Sequence, residues 1–380
     1  QVDSSLNVNH SLLTRFWMRV GAGVTHHWGL AMAACLVILV ASGIGLFKVN
    51  TSVQLLKLFD GNAKIVKDYE WLEKERGKLV PMEVVLKVDR DFQLPLREEL
   101  PELATIPVAE RNRMKYQYSF LERVELVDQV QRTVEEVFGQ QGKDIIGHGM
   151  SAVTFTPDLP APAARTQRYA VNGLLERNRG RLLEEDYLAQ GAASDQAAEA
   201  PDSELWRVGL RLGALNDVDY GEFFHKLKTV VEPILAAYRF RDTFLQQIEQ
   251  QSIKTGQADP NAYRSPNVFF DGNRILVLGV DPSQPLTEMI TKENDPQALE
   301  RLQLTIFART LNDLLLVKGF SNDRRLPHPL LWIDTNNPKH RESLSKMKPE
   351  TWDKYLQGFN HVIVLDDQQL KLASGPPVQL

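Results

Sequence analysis

Residues 29–47, GLAMAACLVILVASGIGLF, form a long stretch without a charged side chain, flanked by Arg15, Arg19, His26 and His27 on one side and by Lys48 on the other. A helix of about 20 apolar residues is long enough to cross a hydrocarbon core about 30 Å thick. Arg15 and Arg19 precede the stretch, and positive charge close to a span favours the cytoplasmic side. The sequence therefore predicts a transmembrane helix over 29–47 and places the chain from residue 48 onward outside the cytoplasm.

A cleaved secretory signal is the alternative interpretation of the same stretch. The small residues Ala41, Ser42 and Gly43 follow an apolar core, as they do before a cleavage site. However, the segment before the stretch is longer than a usual n-region, and the stretch itself exceeds a usual h-region. We therefore favour a retained helix. The chain begins with Gln1 instead of Met, which we interpret as the start of a processed or excised piece.

Residues 1–28 are expected to form a cytoplasmic or interfacial amphipathic segment. Between residues 6 and 20 apolar side chains recur at helical spacing, and the two arginines lie off that face. This pattern is typical of a helix in the membrane interface, the depth at which Trp17 and Trp28 would also settle. A cytoplasmic extension of the spanning helix fits the pattern equally well, so both interpretations stay open.

Small residues along the predicted span favour close packing with another membrane helix. Ala41 and Gly45 are four residues apart, a spacing that lets two helices approach closely, and Gly43 between them widens the smooth patch. The sequence thus indicates a packed membrane partner or, as the alternative, a lipid-facing helix that is rich in small residues.

Composition limits the classes of partner. The formal net charge is −5 and the pI is about 6.0, and no basic stripe with interleaved aromatic residues occurs. Nucleic acid is therefore not expected as a partner. Cys35 is the only cysteine and lies within 29–47, so the remainder of the sequence has no disulfide and no thiolate metal site.

Periodicity after the predicted span indicates an α+β domain over residues 48–239. The expected elements are, in order, a helix over 62–78, a strand over 82–89, a helix over 119–139, a strand over 149–157, a helix over 165–188, a strand over 205–213 and a helix over 220–238. This order is typical of the split βαβ plan of ferredoxin-like domains. The helix over 165–188 and an alanine-rich linker over 190–203 form a predicted insertion at about 164–203.

Individual residues define the expected faces and ends of these elements. The buried side of the first helix is marked by Ile65, Tyr69 and Leu72. The first strand alternates Val84, Leu86 and Val88 with Glu83, Lys87 and Asp89. The helix over 119–139 has in helical register Leu121, Val124, Val127, Val130, Val134 and Val137. Gly139 is expected to end that helix, and Asp219 to cap the helix over 220–238.

The character of the sequence changes over residues 240–380. Helices are expected over 240–253, 296–318 and 349–358, and apolar strands over 275–281, 330–334 and 361–366. Apolar strands that alternate with helices indicate a small parallel sheet covered on both faces. We therefore predict a C-terminal α/β accessory domain.

The sequence contains no recognisable catalytic motif. It lacks a G-x-S-x-G elbow, an H-E-x-x-H pair and a P-loop, and the LGVDP turn after Gly279 is not a dinucleotide fingerprint. His26 and His27 are adjacent, so on a helix their rings diverge; interfacial anchoring is the preferred interpretation, and the other histidines show no ligand spacing. We therefore predict no catalytic, cofactor-binding or metal-binding residue, and no enzyme activity.

Acidic residues at the ends of the expected parallel strands are the one candidate for a polar site. They are Asp281, Asp334, Asp366 and Asp367. In α/β sheets the carboxyl ends of strands build ligand sites, so three acidic ends could surround a cation. The preferred interpretation is structural, because Asp is also common there as a residue that starts turns.

The run from the apolar stretch into VPMEVVLKVD resembles the resistance–nodulation–division superfamily of exporters, in the branch related to mycobacterial large membrane proteins. There a membrane helix is followed by a helix with an LE…G pattern and then by P-x-E-V-V. The matching positions are Leu72, Glu73, Gly77, Pro81, Glu83, Val84 and Val85. The segments over 119–139, 149–157 and 205–235 also resemble the extracytoplasmic porter domain of that family, so the resemblance covers about residues 6–238.

This resemblance implies one membrane helix and its periplasmic porter domain, from a proton-driven exporter of the bacterial inner membrane. The implied partners are the lipid bilayer, the remaining membrane helices of the same exporter or an oligomer, and an amphiphilic substrate. The proton-relay acids of the family lie on later membrane helices, and 29–47 contains no carboxylate, so no coupling residue carries over. Residues 240–380 depart from the family pattern.

Two further hypotheses compete with the exporter. The first is a single-pass anchored module that binds a protein or an envelope component. The second, weaker one is a membrane-tethered enzyme that uses Asp281 and Asp334 around a metal ion.

Overall fold

The computed structural model describes residues 11–46, 59, 60, 63–102, 105–191, 203–213, 218–256, 273–290, 296–321, 323, 325, 329–335 and 337–365. Predictions for residues 1–10, for most of the linker over 190–203 and for Asp366 and Asp367 lie outside the described residues. Contacts divide the chain into two compact units, Gln1–Leu55 and Leu56–Leu380.

The first unit contains two helices, α1 (Ser11–His26) and α2 (Trp28–Leu46), which coincides closely with the predicted helix over 29–47. Within the described residues no single helix is both long and apolar enough to cross a membrane. The pair formed by Phe16–His26 and Trp28–Val40 meets that requirement jointly, across a bend of 96°. A membrane crossing by α2 alone therefore stays a prediction.

The second unit is a mixed α+β structure, as predicted. Its helices are α3 (Lys64–Arg76), α4 (Val108–Met114), α5 (Phe120–Phe138), α6 (Arg165–Arg177), α7 (Arg179–Glu184), α8 (Tyr220–Lys254), α9 (Thr287–Ile290), α10 (Pro296–Val317), α11 (Pro338–Lys346) and α12 (Pro349–Leu356). Its strands are β1 (Val80–Val88), β2 (Met150–Ser151), β3 (Leu188–Gln190), β4 (Glu204–Leu212), β5 (Ile275–Gly279), β6 (Leu330–Asp334) and β7 (His361–Val364).

The first sheet is antiparallel and has β4 at its centre. β1 pairs with one edge of β4 along its whole length, while β2 and β3 pair with the other edge. In β1 the predicted alternation is confirmed: Leu86 and Val88 are buried, whereas Glu83 and Lys87 are exposed. The sheet therefore has one apolar face, which the helices cover.

Helix α5 forms the centre of the core under this sheet. Its six predicted apolar residues are each at most 1% exposed, and the Phe120 ring lies 5.4 Å from the Trp206 ring of β4. Ser119 caps the helix through a capping box with Glu122, and Gly139 follows its last turn as predicted. The local start and stop signals thus agree with the packing.

Three local predictions are wrong in the structure. In α3 the buried residue is Val66, whereas Ile65 and Leu72 are exposed, so the buried side is rotated by one residue. The strand over 149–157 is reduced to β2, because the Ser151 hydroxyl accepts a bond from the N–H of Val153 and turns the chain into a 3₁₀ helix. The helix over 165–188 is broken at Asn178, whose side-chain amide donates to the Leu174 carbonyl.

A single helix, α8, replaces the two helices expected over 220–238 and 240–253. It begins at the predicted cap Asp219, which accepts a bond from the N–H of Glu222, and continues for 35 residues. Pro233 lies inside the helix and cannot donate to the Thr229 carbonyl. That carbonyl instead accepts from the Gln303 side chain of α10 at 3.4 Å. A tertiary contact therefore replaces the missing bond.

The second sheet is parallel, with the order β6-β5-β7, and confirms the parallel layer predicted for the C-terminal part. β5 is at the centre, and α10 connects it to β6. Gly279 at the end of β5 has a φ of +155°, and a Cβ there would lie 2.7 Å from Cβ of Leu365. Only glycine fits this close approach.

We expect the two faces of the antiparallel sheet to differ sharply in their sensitivity to truncation. Leu210 is 1% exposed and Val85 is 55% exposed. Leu210→Ala should lower the free energy of unfolding by about 2–5 kcal/mol, since it leaves a cavity in the core. Val85→Ala should change it by about 0.5 kcal/mol or less. Urea denaturation of both variants measures the difference, and equal losses would contradict the assignment of the faces.

Candidate functional site

An open groove of about 600 Å³ lies beside the helical insertion. Its lining residues are Phe155, Thr156, Pro157, Leu174, Leu175, Asn178, Arg181, Leu182, Glu184, Glu185 and Tyr187. They come from the turn after β2, from α6 and α7, and from the segment that leads into β3. Ligand pockets in proteins have volumes of about 300–1,000 Å³, so the groove is large enough for a small organic molecule.

Local backbone features place the two walls of this groove. The 3₁₀ turn that Ser151 starts presents Phe155, and the break at Asn178 separates α6 from α7. Asp186 has a φ of +58°, which turns the chain sharply after α7. Tyr187 is then fixed by two backbone bonds, because its N–H donates to Leu182 and its carbonyl accepts from Arg207 of β4. The aromatic wall is thereby anchored to the sheet.

Apolar and charged side chains both line the groove, and its exposed charged residues are called the rim. The rings of Phe155 and Tyr187 are 4.9 Å apart, and Phe155 and Leu174 remain 59% and 43% exposed. Arg207 lies 5.3 Å from the centre of the Tyr187 ring. At the rim Arg181, Glu184 and Glu185 form no side-chain ion pair with another described residue. This combination suits a molecule with an apolar body and a polar or charged end.

The groove is not predictable from the sequence pattern. Its residues lie within or next to the segment over 164–203 that periodicity assigns to an insertion. Phe155 and Tyr187 are 32 positions apart, and no spacing relates them. The only local signal is the pair Leu174 and Leu175, of which the first is exposed and the second buried.

The acidic strand ends do not form a metal site in the described residues. Asp281 accepts two bonds from Ser283, from its N–H at 2.9 Å and its hydroxyl at 2.7 Å, and so starts a turn. Asp334 is buried and accepts from the side chain of Gln284 at 2.8 Å, with Arg301 at 3.9 Å. No group of three potential metal ligands occurs among the described residues. The structural interpretation of Asp281 and Asp334 therefore fits their contacts.

A buried ionic cluster lies where α5, α8 and α10 meet. Arg241 is completely buried, and its guanidinium lies 3.3 Å from Glu122 and 2.5 Å from Asp242. Lys318, just after α10, lies 3.0 Å from the same Glu122 oxygen. Tyr118 donates to Asp242 at 2.7 Å. The positive and negative side chains pair with one another, so the cluster links α5, α8 and the residue after α10.

Burial and charge oppose each other at Glu122. Burial alone would raise the pKa of its carboxyl group, but Lys318 and Arg241, with the N–H of Ser119, lower that pKa to about 2. Burial likewise lowers the pKa of Lys318 and raises that of Tyr118. Glu122 therefore stays ionised in the folded protein over the whole physiological pH range.

The adjacent histidines and the small residues that the sequence singles out lie in the first unit. The prediction that the rings of His26 and His27 diverge is wrong: they lie 4.7 Å apart in an edge-on arrangement, because His27 lies at the break between α1 and α2 and not inside one helix. A Cβ added at Gly43 would have no atom of another described residue within 4 Å, so this face of α2 is open there. The side chains of Ala41 and Gly45 lie outside the described residues.

No protein-family model, no curated protein and no solved structure matches the chain. The resemblance to the resistance–nodulation–division superfamily therefore depends on the sequence motifs alone and stays a prediction.

We expect stability to fall in acid through Glu122. Its folded pKa of about 2 lies below the usual 4.5, so its contribution is complete above pH 4.5 and is lost as the pH falls toward 2. The loss should amount to about 3 kcal/mol. Urea denaturation at several pH values measures it.

The matched control for this prediction is a second glutamate. Glu122→Gln should have a lower free energy of unfolding at neutral pH. That free energy should also fall less between pH 4.5 and pH 2 than in the wild type, because the glutamine side chain cannot be protonated there. Glu350→Gln, at an exposed residue of α12, should retain the wild-type profile. If the free energy of unfolding falls equally with pH in Glu122→Gln and in the wild type, the loss of stability in acid does not come from Glu122.

Proposed function

We propose that this chain is the substrate-handling part of a membrane exporter for amphiphilic molecules. The observation that carries the proposal is the groove, with its apolar aromatic wall and its charged rim. An amphiphile can place its apolar body against Phe155, Leu174 and Tyr187 while its polar end meets the rim. No catalytic step is part of the proposal.

The architecture of the second unit supports a porter-like role. The sheet order β1-β4-β2, with α5 and α8 following β1 and β4, supplies three strands and two helices of a split βαβ plan. This is the plan that the family resemblance implies for a ferredoxin-like porter subdomain. The parallel sheet would then be an accessory domain attached through α8.

The first unit supplies the attachment to the bacterial inner membrane in this proposal. All described side chains of α2 but one are exposed, and nearly all are apolar, so lipid is the solvent that suits them. Because α2 contains no carboxylate, the chain would bind and route substrate outside the cytoplasm without driving transport. The coupling residues would belong to the remaining membrane helices or to a partner.

An anchored interaction module is the second candidate function. It is favoured by β1, which pairs with β4 on one edge and with no described strand on the other. An open strand edge can accept a strand from a partner protein. In that case a partner protein, and not a small amphiphile, would bind the second unit.

Photocrosslinking of the full chain in lipid nanodiscs tests the exporter proposal. We expect an alkyl diazirine amphiphile to label the segments that carry Phe155, Leu174 and Tyr187, and an excess of the same amphiphile without the diazirine to compete. Leu174→Gln should reduce this labelling several-fold, since it places an amide in the apolar wall.

Val85→Gln is the matched control, because Val85 is also an exposed apolar residue but does not line the groove. Its labelling should equal that of the wild type. Labelling that is absent from the groove segments, or that does not respond to competition, would refute the exporter proposal and leave the interaction module as the better candidate.

A further inference from the structure

The two helices of the first unit distribute their apolar residues differently. At 100° per residue, Phe16, Val20 and Val24 lie on one side of α1, and Arg19 and His26 lie at the flank of that side, outside the apolar stripe. Helix α2 is apolar on all sides. An amphipathic helix matches a boundary between lipid and water, while a uniformly apolar helix matches the lipid interior.

The bend between the helices lets each one occupy its preferred environment. Their axes differ by 96° at His27. Two residues earlier, the Thr25 hydroxyl donates to the carbonyls of Gly21 and Ala22 at 3.0 and 3.1 Å, the kind of back-bonding that bends helices. If α2 crosses the bilayer along its normal, the axis of α1 is nearly parallel to the membrane surface.

All charged side chains between residues 4 and 59 are basic. Between Asp3 and Asp60 the sequence contains no acidic residue, and it contains Arg15 and Arg19. The side chains of α1 are exposed over residues 16–26, so no described part of the unit covers either of its faces there. A basic amphipathic helix with free apolar side chains is complementary to an anionic lipid surface.

We propose that α1 lies in the plane of the membrane and binds the anionic headgroups of the cytoplasmic leaflet. Phe16, Val20 and Val24 enter the acyl boundary, and Arg19 meets the phosphate groups above them. This inference rests on the proposed function in one respect, because it requires α2 to be inserted in a bilayer. It also decides between the two interpretations that the sequence leaves open for residues 1–28, in favour of the interfacial helix.

Site-directed spin labelling of the full chain in nanodiscs tests the proposal. Since Cys35 is the only cysteine, Cys35→Ser gives a background into which single cysteines are placed over residues 16–25 and 36–40. Along 16–25, accessibility to oxygen and to a water-soluble nickel complex should oscillate with the helical period around a constant depth. Labels at 36–40 should be accessible to oxygen alone.

Lipid charge and the arginines should act together. In phosphatidylcholine containing phosphatidylglycerol, the ratio of immersed to water-exposed label at position 20 should exceed that in phosphatidylcholine alone. Arg19→Gln should reduce this ratio about five-fold in the anionic bilayer, in line with the effect of one basic residue near a charged surface. Arg76→Gln removes the same charge from an exposed residue of α3 and should leave the ratio unchanged.

The possible failures are distinguishable. A steady change of depth from position 16 to position 25 would show that α1 continues the span, and would overturn the in-plane helix while leaving the anchor intact. An equal response to both lipids would overturn the anionic headgroup as the partner. Water-accessible labels at 36–40 would remove the anchor, and with it both this inference and the proposed exporter.

Discussion

The complete burial of the Arg241 guanidinium constrains the whole second unit. A buried charge costs several kcal/mol unless its partners are correctly placed, so Glu122, Asp242 and Lys318 must occupy fixed positions around it. Glu122 belongs to α5 and Asp242 to α8, and Lys318 directly follows α10. The antiparallel sheet packs against α5, and α10 connects β5 to β6 of the parallel sheet. One network of charges therefore links the helices that pack on or connect the two sheets.

The sequence predicts those elements whose local signals and packing agree. Helix α5 is the clearest case, because Ser119 and Gly139 mark its ends and its valines all face the core. The errors arise where a single side chain decides the outcome. The hydroxyl of Ser151 ends β2 early, and the amide of Asn178 divides α6 from α7. Hydrophobic periodicity does not record such bonds, so it cannot predict them.

Long-range contacts account for the other differences. The passage of α8 through Pro233 is supported by α10, whose Gln303 side chain satisfies the carbonyl that Pro233 leaves free. The groove depends in the same way on a contact between the turn after β2, which precedes the insertion, and residues 174–187, which lie inside it. The pattern gives the type of each element but not its neighbours, so the sequence predicts the fold class and misses the site.

The contacts around the groove indicate that it is preformed. Helix α6 is fixed to α5, because Arg168 binds Glu125 through both guanidinium nitrogens and Asn172 accepts from the N–H of Leu121. Arg179 of α7 pairs with the buried Glu204 of β4 at 3.3 Å. Since both helices are held against the core, the walls of the groove would need little rearrangement when a ligand binds. Selection would then depend on the size of the apolar body and on the rim charges, with little ordering of the protein on binding.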